Sequence, residues 1–183
     1  QEYLTKRFFS DRENIKNSII IKNKFLANDW KLNVFQEFIG DKKLNKFKKL
    51  KISTNSREKN NNKIFFGIKG KFFDGSNFSD EALKNGAKLA IVDKITKINK
   101  KKIKVKNTLS LLTKFSKKLR NSSNTCCVAI TGSSGKTYLK ELLGQCLKKK
   151  YSTVFSKDSY NNKFGLPISL SNLNKNTNYG INK

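Results

Sequence analysis

Histidine and methionine are absent from the 183 residues, proline occurs once, and cysteine three times. Without histidine there is no imidazole general base and no histidine metal ligand in this sequence. Three cysteines, two of them adjacent at Cys126-Cys127, form neither a disulfide framework nor a metal-ligand spacing. A reducing cytoplasm is therefore the expected compartment. No apolar run approaches the roughly 20 residues of a membrane span, and Gln1 to Arg7 carry no signal-peptide pattern. With no methionine there is no visible initiator, so the sequence is expected to be an internal stretch of a longer chain.

Acidic residues are scarce as well. There are 13 Asp+Glu against 40 Lys+Arg, a formal net charge of +27. Such a surplus often marks a nucleic-acid partner. Here the lysines are scattered among abundant Asn, Ile and Phe, which reads as compositional bias rather than a basic face. No nucleic-acid partner is expected on this reading. The rival is a basic nucleotide-hydrolysing protein acting on nucleic acid, with lysines gathered on one face and steeply salt-dependent binding.

One stretch organises the chain: Thr131-Gly132-Ser133-Ser134-Gly135-Lys136-Thr137. The apolar segment Cys126-Cys127-Val128-Ala129-Ile130 precedes it and is expected to be a buried strand. After it, Leu139, Leu142, Leu143, Cys146 and Leu147 recur at helical spacing. Strand, glycine-rich turn and helix are the context of a phosphate-binding loop. Gly132 and Gly135 allow positive φ and close backbone approach. Backbone N–H groups of the turn and of the helix start, including those of Ser133 and Ser134, suit an anion. Lys136 can reach the outer phosphates, and the Thr137 hydroxyl can ligate Mg²⁺. The common G-x-x-x-x-G-K-[ST] spacing would need glycine at position 130, where Ile130 stands, so the loop has the shorter T-G-x-x-G-K-T form.

The pattern elsewhere alternates strands and helices, an α/β arrangement. Residues 1–24 have no assignable role. Asn28 to Phe38 suggests a short helix, and the lysine-rich stretch from Asp41 to Lys51 is expected to be solvated. Lys51-Ile52-Ser53, Ile64 to Ile68 and Leu89 to Val92 read as strands. Asp80 and Glu81 suit the first turn of a helix that Gly86 ends. Thr108 to Arg120 reads as a helix with Leu109, Leu112, Phe115, Ser116 and Leu119 on one face. Ser152 to Phe155 is a further strand, Pro167 fits the first turn of a helix running to about Leu173, and Tyr179 to Ile181 begins another strand. Two α/β units follow, over 25–106 and 107–183.

Three separated motifs resemble the Mur ligases of peptidoglycan synthesis, ATP-dependent amide-forming enzymes of three domains. Asn55-Ser56-Arg57, then Ile64-Phe65-Phe66-Gly67-Ile68-Lys69-Gly70 and Phe73-Asp74-Gly75, then Gly86-Ala87, resemble the family's N-terminal UDP-binding domain. Asn55 stands where the family usually has Asp, and Gly67 where it commonly has Ala. The Thr131–Thr137 loop is similar to the family's ATP-binding loop. Asn161-Asn162-x-x-Gly165-x-Pro167 resembles the member that joins D-alanyl-D-alanine to UDP-N-acetylmuramoyl-tripeptide, rather than its sibling that adds the third amino acid.

The resemblance implies a small N-terminal UDP-sugar-binding α/β domain followed by an incomplete P-loop ATPase domain. It implies ATP and Mg²⁺ as cofactors and catalysis through an acyl phosphate. Lys136 and Thr137 are then the catalytic and metal residues. The nucleotide loop is Gly132, Ser133, Ser134 and Gly135, and substrate contacts fall on Ser56, Arg57, Gly70, Asp74, Gly75, Asn161 and Asn162. The expected partners are the UDP-linked tripeptide and D-alanyl-D-alanine, acting on a cytoplasmic monomer without a membrane span. The family's magnesium-binding glutamate and its C-terminal domain would follow Lys183. The 183 residues are therefore expected to bind nucleotide without completing catalysis. A non-catalytic UDP-sugar-binding fragment is the remaining alternative.

Overall fold

A computed structural model describes residues 30–41, 44, 49–95, 97–156 and 164–182. The helices are α1 (Trp30–Ile39), α2 (Ser79–Lys84), α3 (Thr108–Asn121), α4 (Lys136–Lys148) and α5 (Gly165–Ser171). Residues 1–24, Asn161 and Asn162 lie outside the described residues.

Four parallel strands, β1 (Ile52–Ser53), β2 (Ile64–Gly67), β3 (Leu89–Val92) and β4 (Lys102–Lys104), lie in that order in one sheet. Ile64 pairs with Leu89, and Ala90 with Lys102. β2 and β3 are buried along their whole length, as parallel strands covered on both faces must be. Successive residues serve opposite faces. Ile64, Phe66, Leu89 and Ile91 join Leu32 and Phe35 of α1 and Leu112, Phe115 and Leu119 of α3 in one core. Phe65, Ala90 and Val92 join Ala82 and Ala87 in the other. The Phe35 ring meets that of Phe115 edge-on at 5.0 Å and that of Phe66 at 5.8 Å.

α3 therefore packs on the first sheet, although its sequence position places it at the start of the second unit. Its start is fastened there. The Asn107 side chain caps it by accepting from the Ser110 N–H. Both the N–H and the hydroxyl of Thr108 donate to the Asp93 carboxylate at the end of β3.

Two further features depart from the sequence reading. Leu44 and Leu50, in the stretch expected to be solvated, are buried in the first core. β4 was not anticipated, because lysines at 100, 101, 102, 104 and 106 hide the alternation of Ile103 and Val105. Lys102 itself is buried and pairs with Asp80 at 2.9 Å.

The second sheet has the order β5 (Cys126–Ala129), β7 (Tyr179–Asn182), β6 (Thr153–Phe155), again all parallel. Here the expectation of a buried strand before the loop fails. Cys126 and Ala129 are exposed, and Cys127 and Val128 are half-buried. β5 is an edge strand among the described residues, and α4 packs chiefly over β6 and β7. The leucine face of α4 is only partly covered among the described residues, with Leu139 50% and Leu142 46% exposed and Leu143 and Leu147 half-buried. The buried residues of α4 are Lys140 and Gly144. A β-carbon at Gly144 would stand 2.6 Å from the Phe155 ring, so only glycine lets the helix ride this close to β6.

α5 links the sheets. The Ser116 hydroxyl on α3 donates to the Pro167 carbonyl at 2.7 Å, and Lys31 on α1 donates to the Ser171 carbonyl at 3.2 Å. Ile168 packs against the first core. No helix among the described residues is long and apolar enough to cross a membrane.

Candidate functional site

The glycine-rich loop leaves the C-terminal end of β5 and runs into α4. Gly132 has φ +148° and Gly135 φ +73°, both in the region that L side chains rarely adopt. Nothing lies within 4 Å of a β-carbon placed on Gly135. Glycine is needed there for backbone conformation, not for space. Gly135 is the N-cap of α4 and brings no side chain to the first-turn N–H groups, where the positive end of the helix dipole lies.

The Lys136 ammonium folds back over the loop, donating to the Gly132 carbonyl and, at 2.9 Å, to the Ser133 carbonyl. Ser133, Ser134 and Thr137 are exposed. Positive φ at two glycines, a helix start at the end of a strand and a lysine at the loop together suit a phosphate group. Among the described residues no group of three or more His, Cys, Asp or Glu side chains could hold a metal ion. The donors present fit magnesium taken through phosphate oxygens and the Thr137 hydroxyl, rather than through a protein cage.

The second candidate region lies at the C-terminal edge of the first sheet, where ligands of open α/β sheets bind. Ser56 and Arg57 follow β1, and Gly70, Asp74 and Gly75 follow β2, its neighbour. Their surroundings differ. Ser56 is buried, its hydroxyl donating to Glu81 at 2.6 Å and its carbonyl accepting from the Asn85 side chain at 2.7 Å. It fastens the β1 loop to α2. Arg57 is exposed, with its backbone N–H donating to the Asn55 side chain.

Asp74 accepts from the Ser76 N–H at 2.9 Å and bridges Lys69 through the backbone. A β-carbon at Gly75 would stand 2.6 Å from the backbone N and O of Ile68, so Gly75 is required by backbone packing. The tight turn between Lys69 and Asp74 presents Phe72 and Phe73 at 81% and 73% exposure. Gly86, φ +95°, ends α2 as expected.

The β1 loop has a titratable member that sequence reasoning did not single out. The Ser53 hydroxyl donates to Glu58 at 2.6 Å, and Lys63 pairs with it at 3.1 Å. The Ser53 hydrogen bond foremost, with Lys63 assisting against partial burial, holds the Glu58 carboxyl below its ordinary range. A lowered folded-state value means that ionised Glu58 supports the fold above the unfolded-state value. That support is lost as pH falls through the folded-state value. Ser53→Ala should therefore raise the Glu58 titration midpoint, followed by NMR of its side chain. An unmoved midpoint would contradict the assignment.

Asp93 is shifted the other way. Burial pushes its carboxyl up, opposed by the Thr108 N–H, with Asp74 adding to the rise and Lys69 opposing it. Nothing local in the sequence marks Asp93, because its partner Thr108 lies 15 residues away.

Comparison with known proteins gives the geometry a family. Residues 51–123 match the family model described as Mur ligase family, catalytic domain, and residues 130–182 match the Mur ligase middle domain. The chain is 36% identical over 132 residues to the UDP-N-acetylmuramoyl-tripeptide--D-alanyl-D-alanine ligase of Buchnera aphidicola, covering 71% of this chain and 29% of that protein. It is 32% identical over 136 residues to the ligase of that name from Haemophilus influenzae, covering 72% and 30%.

Among solved structures, MurF from Acinetobacter baumannii superposes with a TM-score of 0.65 at 26% identity, over 85% of this chain and 35% of that one. MurF ligase from Thermotoga maritima in complex with ADP gives 0.58 at 34% identity, over 72% and 31%. The chain thus spans about 30% of the length of the curated relatives it matches. The glycine-rich loop falls inside one family match and the Ser56–Gly75 sheet edge inside the other; this chain belongs to the Mur ligase family.

Proposed function

We propose that the protein carrying this sequence is an ATP-dependent ligase that adds D-alanyl-D-alanine to UDP-N-acetylmuramoyl-tripeptide, a cytoplasmic step of peptidoglycan precursor synthesis that serves cell shape and division. The observation that carries the reading is the Gly132–Thr137 loop. Its positive-φ glycines, its glycine N-cap and its folded-back lysine, at the C-terminal edge of a parallel sheet, support a phosphate-binding reading. The relatives' names supply the choice of substrates.

On this reading the first sheet binds the UDP-sugar and the second binds the nucleotide. Loop amides and Lys136 hold and neutralise the phosphates, and Thr137 offers its hydroxyl to Mg²⁺. ATP with Mg²⁺, when bound, supplies the phosphoryl group that activates the tripeptide carboxylate as an acyl phosphate. Arg57 and the Gly70–Gly75 turn face the UDP-sugar, with Asn161 and Asn162 assigned to substrate, and the protein acts as a monomer. The test is phosphate release from ATP by a protein carrying this sequence. Release should require both the UDP-linked tripeptide and D-alanyl-D-alanine. Release with the UDP-linked dipeptide and a single amino acid instead would transfer the assignment to the sibling that forms the tripeptide.

A further inference from the structure

The first turns of α4 follow the glycine-rich loop, and among the described residues their apolar side chains are largely exposed. Tyr138 is 75% exposed, Leu139 and Leu142 are about half exposed, and no apolar side chain of α4 is fully buried. The buried side chain in this part of the helix is a lysine. Lys140 is 0% exposed. Its ammonium donates to the Ser156 carbonyl and, at 3.2 Å, to the Ser156 hydroxyl, and it pairs with Glu141 at 3.0 Å.

Ser156 directly follows β6, on the side of the sheet where the loop leaves β5. The contact therefore joins α4 to the end of β6 at the sheet edge from which the glycine-rich loop also leaves β5. Lys140 lies one helical turn beyond Lys136 on the same face, and Gly144 a further turn on meets Phe155. The face of α4 toward β6 is thus held by a charge-assisted polar contact nearest the loop and by backbone proximity behind it.

We propose that Lys140 is a positioning residue of the nucleotide site, fixing the first turns of α4, and with them Lys136 and Thr137, against the end of β6. The inference rests on the nucleotide reading. A buried ammonium is costly unless its hydrogen bonds are satisfied, so this contact also specifies one seat for the helix. Small displacements of phosphate-positioning groups cost large factors in binding and rate.

The test compares wild type, Lys140→Met and Lys140→Arg. Without nucleotide, exchange of the Leu139 amide, bonded to the Gly135 carbonyl at 2.9 Å, should quicken about tenfold in Lys140→Met as the turn loosens. The Ile64 amide in the first sheet should keep its protection. With Mg²⁺·ADP, calorimetry should show affinity about tenfold weaker in Lys140→Met, with most of the loss recovered by Lys140→Arg, which keeps charge and donors. Unchanged Leu139 exchange would overturn the proposal, and so would unchanged ADP affinity in a loosened variant. ADP binding absent from wild type, with the exchange result intact, would sink the nucleotide reading and leave the helix anchor standing. Should Lys140→Met fail to fold, Lys140→Gln, which keeps one donor toward Ser156, is judged by the same two readouts.

Discussion

Alanine in place of Phe115 should destabilise the protein by about 3–5 kcal/mol. Phe115 is fully buried and meets Phe35 edge-on at 5.0 Å and Phe38 at 6.5 Å. It sits where α3 closes the core over β2 and β3, so its removal leaves a cavity bounded by elements fixed from several sides. Leu112 and Leu119 flank it on the same helix face and cannot collapse into the gap without moving α3. α3 is in turn pinned at its start by Asp93 and along its length by the contact from Ser116 to Pro167. Equilibrium urea unfolding measures the loss. A change below about 1 kcal/mol, the range of an ordinary surface substitution, would mean that α3 does not close the first core.

Lys136→Ala should weaken Mg²⁺·ATP binding about a hundredfold, with the fold retained. Lys136 is half-buried at the loop and contacts only loop carbonyls in its side-chain hydrogen bonds, at Gly132 and Ser133. Its removal therefore leaves no buried partner unsatisfied and opens no core cavity. What is lost is a positively charged donor to the phosphate oxygens, and hydrogen bonds to charged groups are worth about 1.5–3 kcal/mol, a factor of about 10 to 150 in affinity. Calorimetric titration of wild type and variant, with thermal unfolding as the control for folding, decides it. Equal affinity would remove Lys136 from the site.

Much of this architecture was legible in the sequence because its signals are local. Ile64 to Gly67 and Leu89 to Val92 are continuous apolar runs, and both are fully buried parallel strands. The one-sided pattern of Leu109, Leu112, Phe115, Ser116 and Leu119 marked the packed face of α3, where all but the half-buried Leu109 are buried. Gly132 and Gly135 were legible as loop glycines because their chemistry is conformational, and both have positive φ.

What escaped depends on distant partners. The pattern of α3 shows that one face is buried but not against which sheet. The leucine stripe of α4 predicted a buried face, whereas the helix rests on Lys140 and Gly144, a choice made by the Phe155 ring and Ser156. Ser56 stood out as a ligand candidate, but nothing local showed that its hydroxyl donates to Glu81, 25 residues away. Lysine-rich composition hid β4 and the buried Leu44 and Leu50, because a hydropathy pattern is hard to read where every second residue is basic.

The central claim is that this chain binds a nucleotide through its glycine-rich loop. The most direct test is a titration of the ¹⁵N-labelled chain with Mg²⁺·ATP, followed amide by amide. The account predicts saturable shifts at Gly132, Ser133, Ser134, Gly135, Lys136 and Thr137, with the first-sheet amides from Ile64 to Gly67 unmoved. A folded chain whose loop amides stay in place at saturating Mg²⁺·ATP, or whose shifts fall only on the first sheet, would contradict it.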